Sequence, residues 1–155
     1  MGFGSYVKID GGGRTSRGII YDGDGKGKVK AKAKAAVTKG YVYKLGYDET
    51  GREAVALSGT GAFTAMMGVA EKSLATGAYG WFIVEGPATL VTASTASLGT
   101  AAGYAVKIHD GAVAGTTAAW AFTSSGPEFA VLRAASASAT SHSVYMIPRE
   151  IVATT

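Results

Sequence analysis

The sequence predicts an all-β protein, either a small β-sandwich or a partly open β-barrel, with an extended N-terminal arm and at most one short helix. Short runs of β-branched and aromatic residues recur along the chain, and Trp81 to Val84 (WFIV) is the clearest of them. Turns rich in Gly, Ser and Thr separate these runs, and Gly accounts for 23 of the 155 residues. In the run KGKVKAKAKAAV from Lys26 to Val37, lysine alternates with Gly, Val or Ala as far as Ala35.

Residues 1–36 are predicted to form the basic arm, and residues 37–155 the β-rich body. Glycine clusters and charges dominate the arm, and few of its side chains can fill a core. From Lys8 to Lys44, ten Lys and Arg residues face only three Asp. Such a segment cannot offset its ordering entropy by its own burial, so we expect it to become ordered against a partner.

Alternation in an extended chain places every second side chain on one face, and here that face carries Lys26, Lys28, Lys30, Lys32 and Lys34, which we call the lysine ladder. A strand or extended arm fits the periodicity better than a helix, although Ala and Lys also form helices well. The ladder has three candidate roles: docking on an acidic protein surface, blocking of unwanted strand pairing, or neutralisation of nucleic-acid phosphates. The segment lacks the interleaved aromatic residues of a single-strand binding groove, which favours contact with a protein partner.

In the body, YVYKL at 41–45 and EAVAL at 53–57 flank a turn with Asp48 and Gly51, a pattern typical of a hairpin. A further run at 66–70 precedes the WFIV strand, which ends at Gly86-Pro87. The last third repeats short strands between small-residue loops, including AASASATSHS at 134–143, and ends in VYMIPREIV at 144–152. The proline in that final run indicates an edge strand or a bend.

Large apolar side chains are scarce, since Leu, Ile, Val and Phe together number 31. We predict Trp81, Phe82 and Val84 as core anchors because both faces of their strand carry apolar residues. Trp120 lies in an Ala/Thr stretch with little bulk around it, so we predict it at a subunit interface. A core this thin favours stabilisation by neighbouring subunits.

Catalytic, metal and cofactor sites are not predicted, and we expect a protein that is not an enzyme. The chain has no Cys and two His, His109 and His142, which sit in turn-like contexts and are expected at the surface. Ser does not occur in a G-x-S-x-G pattern, and the glycines of YDGDGKGK at 21–28 fit neither a calcium loop nor a phosphate loop. An 18-residue apolar run is also absent, so a membrane partner is not expected.

The segment FTAMMGVAEKSLATGAYGWFIVEGPATL resembles the capsid decoration (cement) and head structural proteins of tailed bacteriophages. The matching residues are Gly68-Val69-Ala70, Gly77, Gly80-Trp81, Val84 and Gly86-Pro87-Ala88. With KGYVYKLG upstream and AAGYAVKIHDGAV downstream, the resemblance covers roughly residues 39 to 152. It implies a homotrimer, made in the host cytoplasm, that sits on the capsid outer surface of the virion and clamps neighbouring major capsid subunits.

Two alternatives remain open. The lysine ladder also fits a nucleic-acid-binding module, with nucleic acid as the less favoured partner, and the chain also fits a tail or fibre module that binds a host glycan. Neither alternative requires a cofactor.

Overall fold

The computed structural model describes residues 18–48, 51–55, 63–96, 98–107, 128–136, 139–148 and 150–153. Within these ranges the secondary structure is entirely β, without a helix, which confirms the predicted fold class. The sheet is open and not closed into a barrel, consistent with a small open β-sandwich. The ten strands are β1 (Ile20–Tyr21), β2 (Gly27–Ala33), β3 (Val42–Asp48), β4 (Gly51–Val55), β5 (Phe63–Ala70), β6 (Tyr79–Ala96), β7 (Ala105–Lys107), β8 (Glu128–Leu132), β9 (Ala139–Met146) and β10 (Glu150–Ala153).

The strands follow the order β1-β2-β4-β3-β5-β6-β9-β8-β7, with β10 against β5. Strands β3 and β4 form the predicted hairpin, in which Asp48 lies opposite Gly51. Strand β2 pairs in parallel with β4 and also antiparallel with β6, so this half of the sheet curls around its own apolar residues. The 18-residue β6 joins the two halves, because it pairs with β2 up to Glu85 and with β9 from Gly86 onward.

Two clusters of buried side chains form on opposite faces of β6. The N-terminal core lies among β2, β3, β5 and β6 and contains Phe82 and Val84. The shared core joins β3, β5 and β6 to β7, β8 and β9, and contains Ile83, Ala88 and Leu90. On the side of β6 that faces the shared core, the core residue before Gly86-Pro87 is odd-numbered (Ile83) and those after it are even-numbered (Ala88 and Leu90). The alternation of β6 therefore shifts by one residue at Gly86-Pro87.

Gly86 makes this shift, because its φ is +91°, in the left-handed region that favours glycine. A Cβ at this position would also collide with the carbonyl oxygen of Gly25. Pro87 follows without an N–H, at a point where the pairing of β6 with β2 has already ended. This local irregularity lets one strand serve two halves of the sheet.

Two of the three predicted core anchors are confirmed and one is wrong. Phe82 and Val84 are fully buried in the N-terminal core. Trp81 is 38% exposed, because alternation turns it away from that core and the shared core covers its face of β6 only as far as Ile83. Trp120 lies outside the described residues, so its place at a subunit interface stays a prediction.

The predicted extended conformation of the lysine-rich segment is confirmed for Gly27–Ala33, which forms β2. Val29, Ala31 and Ala33 are buried in the N-terminal core, and the lysines alternate with them on the other face. Part of the predicted arm is thus a strand of the body's sheet. Residues 1–17 lie outside the described residues, and the division of the chain at residue 36 stays a prediction.

Candidate docking surface

Three lysines of β2 and two aromatic residues of β6 lie on one face of the sheet. In the β2–β6 register Lys30 is opposite Trp81 and Lys32 is opposite Tyr79. Residues opposite each other in an antiparallel pair point to the same side. With Lys28 and its β1 partner Ile20, these residues form what we call the lysine–aromatic face: Ile20, Lys28, Lys30, Lys32, Tyr79 and Trp81.

The large apolar side chains of this face are open to solvent. Ile20 is 57% exposed and Tyr79 is 58% exposed, beside the partly exposed Trp81. Two positions along a strand separate the Cα atoms of Tyr79 and Trp81 by about 6.6 Å. A group of exposed apolar side chains rimmed by charge is typical of a binding surface.

A cation–π contact ties the two strands together on this face. The Lys30 Nζ atom lies 5.9 Å from the centroid of the Tyr79 ring. The contact is diagonal, because Tyr79 is directly opposite Lys32 rather than Lys30. It orients the Lys30 side chain across the aromatic strand, so charge and ring are presented together.

Lys28 has a different role from the other two lysines. Its Nζ lies 2.6 Å from Glu71 Oε2 and 2.9 Å from Asp22 Oδ2. Hydrogen bonds to these two carboxylates, Glu71 first, raise the pKa of Lys28 above its ordinary value. Lys30 and Lys32 form no ion pair with any residue in the described part of the chain, so no carboxylate there neutralises their charges.

The five lysines of the ladder are therefore not equivalent. Lys28, Lys30 and Lys32 share the face, whereas Lys26 and Lys34 flank β2. The Lys26 Nζ lies 3.6 Å from Asp24 Oδ2, a separation typical of a weak surface contact. The sequence did not identify Tyr79 and Trp81 as members of the site, because the signal that places them there is the register between strands about fifty residues apart.

His142 is buried, which corrects the expectation that it lies at the surface. It is 1% exposed and lies opposite Leu90 in the β6–β9 pair, on the side of the shared core. Its Nε2 is 3.2 Å from Thr92 Oγ1, and its Nδ1 is hydrogen-bonded to Ser136 Oγ. Burial lowers the pKa of His142 and so favours the neutral ring, whose two nitrogens have hydroxyl hydrogen-bond partners, as in a satisfied core histidine.

The described residues contain no group of three or more His, Cys, Asp or Glu side chains that could hold a metal ion. His109 lies outside those residues. The part of the chain that the structure describes also holds no helix long and apolar enough to span a bilayer. No protein-family model matches the chain, and neither a curated protein nor a solved structure matches it significantly.

Proposed function

We propose that this chain is a virion structural protein that binds the outside of a phage capsid and stabilises it by clamping major capsid subunits. The lysine–aromatic face is the observation that carries the proposal. The resemblance of residues 39–152 to capsid decoration proteins supports the choice of a capsid as the partner. The function belongs to a surface rather than to a pocket with reactive groups.

The chemistry of the face suits an acidic protein surface. Trp81 and Tyr79 provide large, rigid contact areas of the kind found at the energetic centre of interfaces. Lys30 and Lys32 provide charge complementarity, which speeds encounter and fixes orientation. Strands β2 and β6 pair with each other along this face, so their backbones lose little conformational entropy when the partner binds.

The proposal includes a homotrimer, in which each copy presents one lysine–aromatic face to the shell. Three such contacts that bind together give an affinity well above that of one contact. The thin core supports this arrangement, because subunit contacts add burial that the chain alone lacks. Trp120 is the proposed contact between copies.

Co-sedimentation with capsids assembled from the major capsid protein of the same genome tests the proposal. We expect Trp81→Ala to weaken binding about 30-fold, the effect of losing one interface hot spot. Tyr104→Ala is the matched control, since Tyr104 is 50% exposed but lies just before β7, away from this face. Wild-type protein that stays in the supernatant at all concentrations would overturn the proposal.

A second candidate function is binding of single-stranded nucleic acid. The observation that favours it is the placement of Trp81 and Tyr79 beside Lys30 and Lys32, because bases stack on exposed rings while lysines neutralise phosphates. The test is fluorescence anisotropy with a labelled oligothymidine. This candidate predicts binding at about 50 mM salt, steep loss at about 200 mM, and dependence on Trp81. Failure to bind at the lower salt concentration eliminates it.

A further inference from the structure

A cleft of about 510 Å³ lies beside the lysine–aromatic face. Its apolar lining comes from β5 and β6 and includes Val69, Ile83 and Pro87. On β6 it is lined by Ile83 and by residues 87–89, the stretch in which pairing passes from β2 to β9. The floor of the cleft is therefore apolar but narrow: Val69 and Ile83 are almost fully buried in the shared core, and Pro87 is more exposed.

Three cationic side chains from separate segments surround this floor. Lys26 precedes β2, Lys39 lies between β2 and β3, and Arg133 follows β8. The carboxylate in the lining, Glu71, is already held by Lys28. Neither Lys39 nor Arg133 forms an ion pair with another residue of the described ranges, so the cleft presents positive charge above an apolar surface.

We infer that this cleft binds an extended peptide segment in which apolar and acidic residues alternate. Successive side chains of an extended chain point to opposite sides, so apolar side chains can lie on the floor while carboxylates face the cations. Among the described residues that line the cleft there is no aromatic ring on which a base could stack, which favours a peptide over nucleic acid. The inference rests on the proposed function only for the source of the segment, which is then the major capsid protein.

The probe is a fluorescein-labelled acetyl-(Leu-Asp)₄-amide peptide, with acetyl-(Leu-Asn)₄-amide as the uncharged match. We expect the acidic peptide to bind at low salt, and Arg133→Met and Lys39→Met each to weaken it about fivefold, the upper end for one exposed ion pair. Both side chains are exposed, so these variants are expected to fold. Lys72→Met is the control, because Lys72 is exposed, does not line the cleft and does not belong to the lysine–aromatic face.

Equal binding of the two peptides overturns the inference, as does a loss that follows Lys72→Met instead of Arg133→Met. An eight-residue oligothymidine that displaces the peptide from wild type but not from Arg133→Met also overturns it, in favour of nucleic acid. The capsid assay separates this inference from the proposed function. Peptide binding without capsid binding refutes only the capsid, whereas capsid binding that is unchanged in Arg133→Met and Lys39→Met refutes only the cleft.

Discussion

Replacing Gly86 with alanine tests whether the change of face in β6 depends on this one residue. At a φ of +91° the backbone is in a region that an L side chain rarely adopts. The new Cβ would collide with the carbonyl oxygen of Gly25 and lie 3.3 Å from the Cα of Lys26. Both neighbours are backbone atoms, so rotation of a side chain cannot relieve the contact.

These two effects set the magnitude. The left-handed conformation costs alanine about 1–2 kcal/mol, and overpacking against rigid neighbours costs about 1–3 kcal/mol more. We therefore expect Gly86→Ala to lower the free energy of unfolding by about 3 kcal/mol. Gly77→Ala is the matched control, because Gly77 has a φ of +84° but its Cβ would meet nothing within 4 Å. It should lose only the conformational part, about 1–2 kcal/mol.

Urea unfolding followed by circular dichroism measures both variants, with the dependence on urea checked for a constant slope. A third variant, Gly46→Ala, sets the baseline, since that strand glycine has no positive φ and open space around its Cβ. We expect it to be neutral or to gain up to about 1 kcal/mol. If Gly86→Ala and Gly77→Ala lose the same stability, the contact with Gly25 carries no energetic weight and the reasoning about the shift is wrong.

Three further predictions concern the core and the titrating groups. Phe82→Ala removes a fully buried ring and should lower the free energy of unfolding by about 3–5 kcal/mol, and a comparable loss in Trp81→Ala would contradict the exposed position of Trp81. Hydrogen bonds to Glu71 raise the pKa of Lys28, so the charged Lys28 stabilises the folded state. This stabilisation is complete below the ordinary lysine pKa and is lost as the pH rises through the raised pKa. The urea midpoint at alkaline pH should therefore fall more in wild type than in Lys28→Met. Burial lowers the pKa of His142, so protonation of the ring destabilises the folded state. Stability is therefore complete above the ordinary histidine pKa and falls on acidification. The fall in urea midpoint between about pH 7.5 and 5.5 should be smaller in His142→Asn.

Local alternation predicted what it can determine, which is the set of residues that share a face of one strand. It placed Val29 and Ala31 on the face opposite the lysines, as in β2, but their burial in the N-terminal core was not predicted, because residues 1–36 were expected to form an arm. Alternation does not determine how far a neighbouring layer covers a face. Trp81 and Ile83 share a face of β6, yet the shared core reaches Ile83 and stops before Trp81.

The sequence prediction was wrong for the first half of β9, because its residues are mostly polar. The Ser- and Thr-rich run before Val144 was predicted as a loop, but β9 begins at Ala139 and buries His142, Val144 and Met146 on alternate positions. Tertiary packing outweighs weak strand propensity here, because pairing with β6 provides the ladder hydrogen bonds and the shared core provides the burial. The sequence alone offers no period-2 apolar signal long enough to identify such a strand.

The register between β2 and β6 decides how the candidate sites relate to each other. The lysine ladder and the WFIV run each predicted a strand, but only their pairing places rings beside cations and turns a row of lysines into a mixed surface. The same strand then continues through Ile83 to Pro87 in the cleft, where a second set of cations lies. Strand β6 thus lines both sites, first with Trp81 and then with aliphatic residues. If one partner segment follows β6 through both sites, Trp81→Ala at one end and Arg133→Met at the other should each weaken its binding in the co-sedimentation assay.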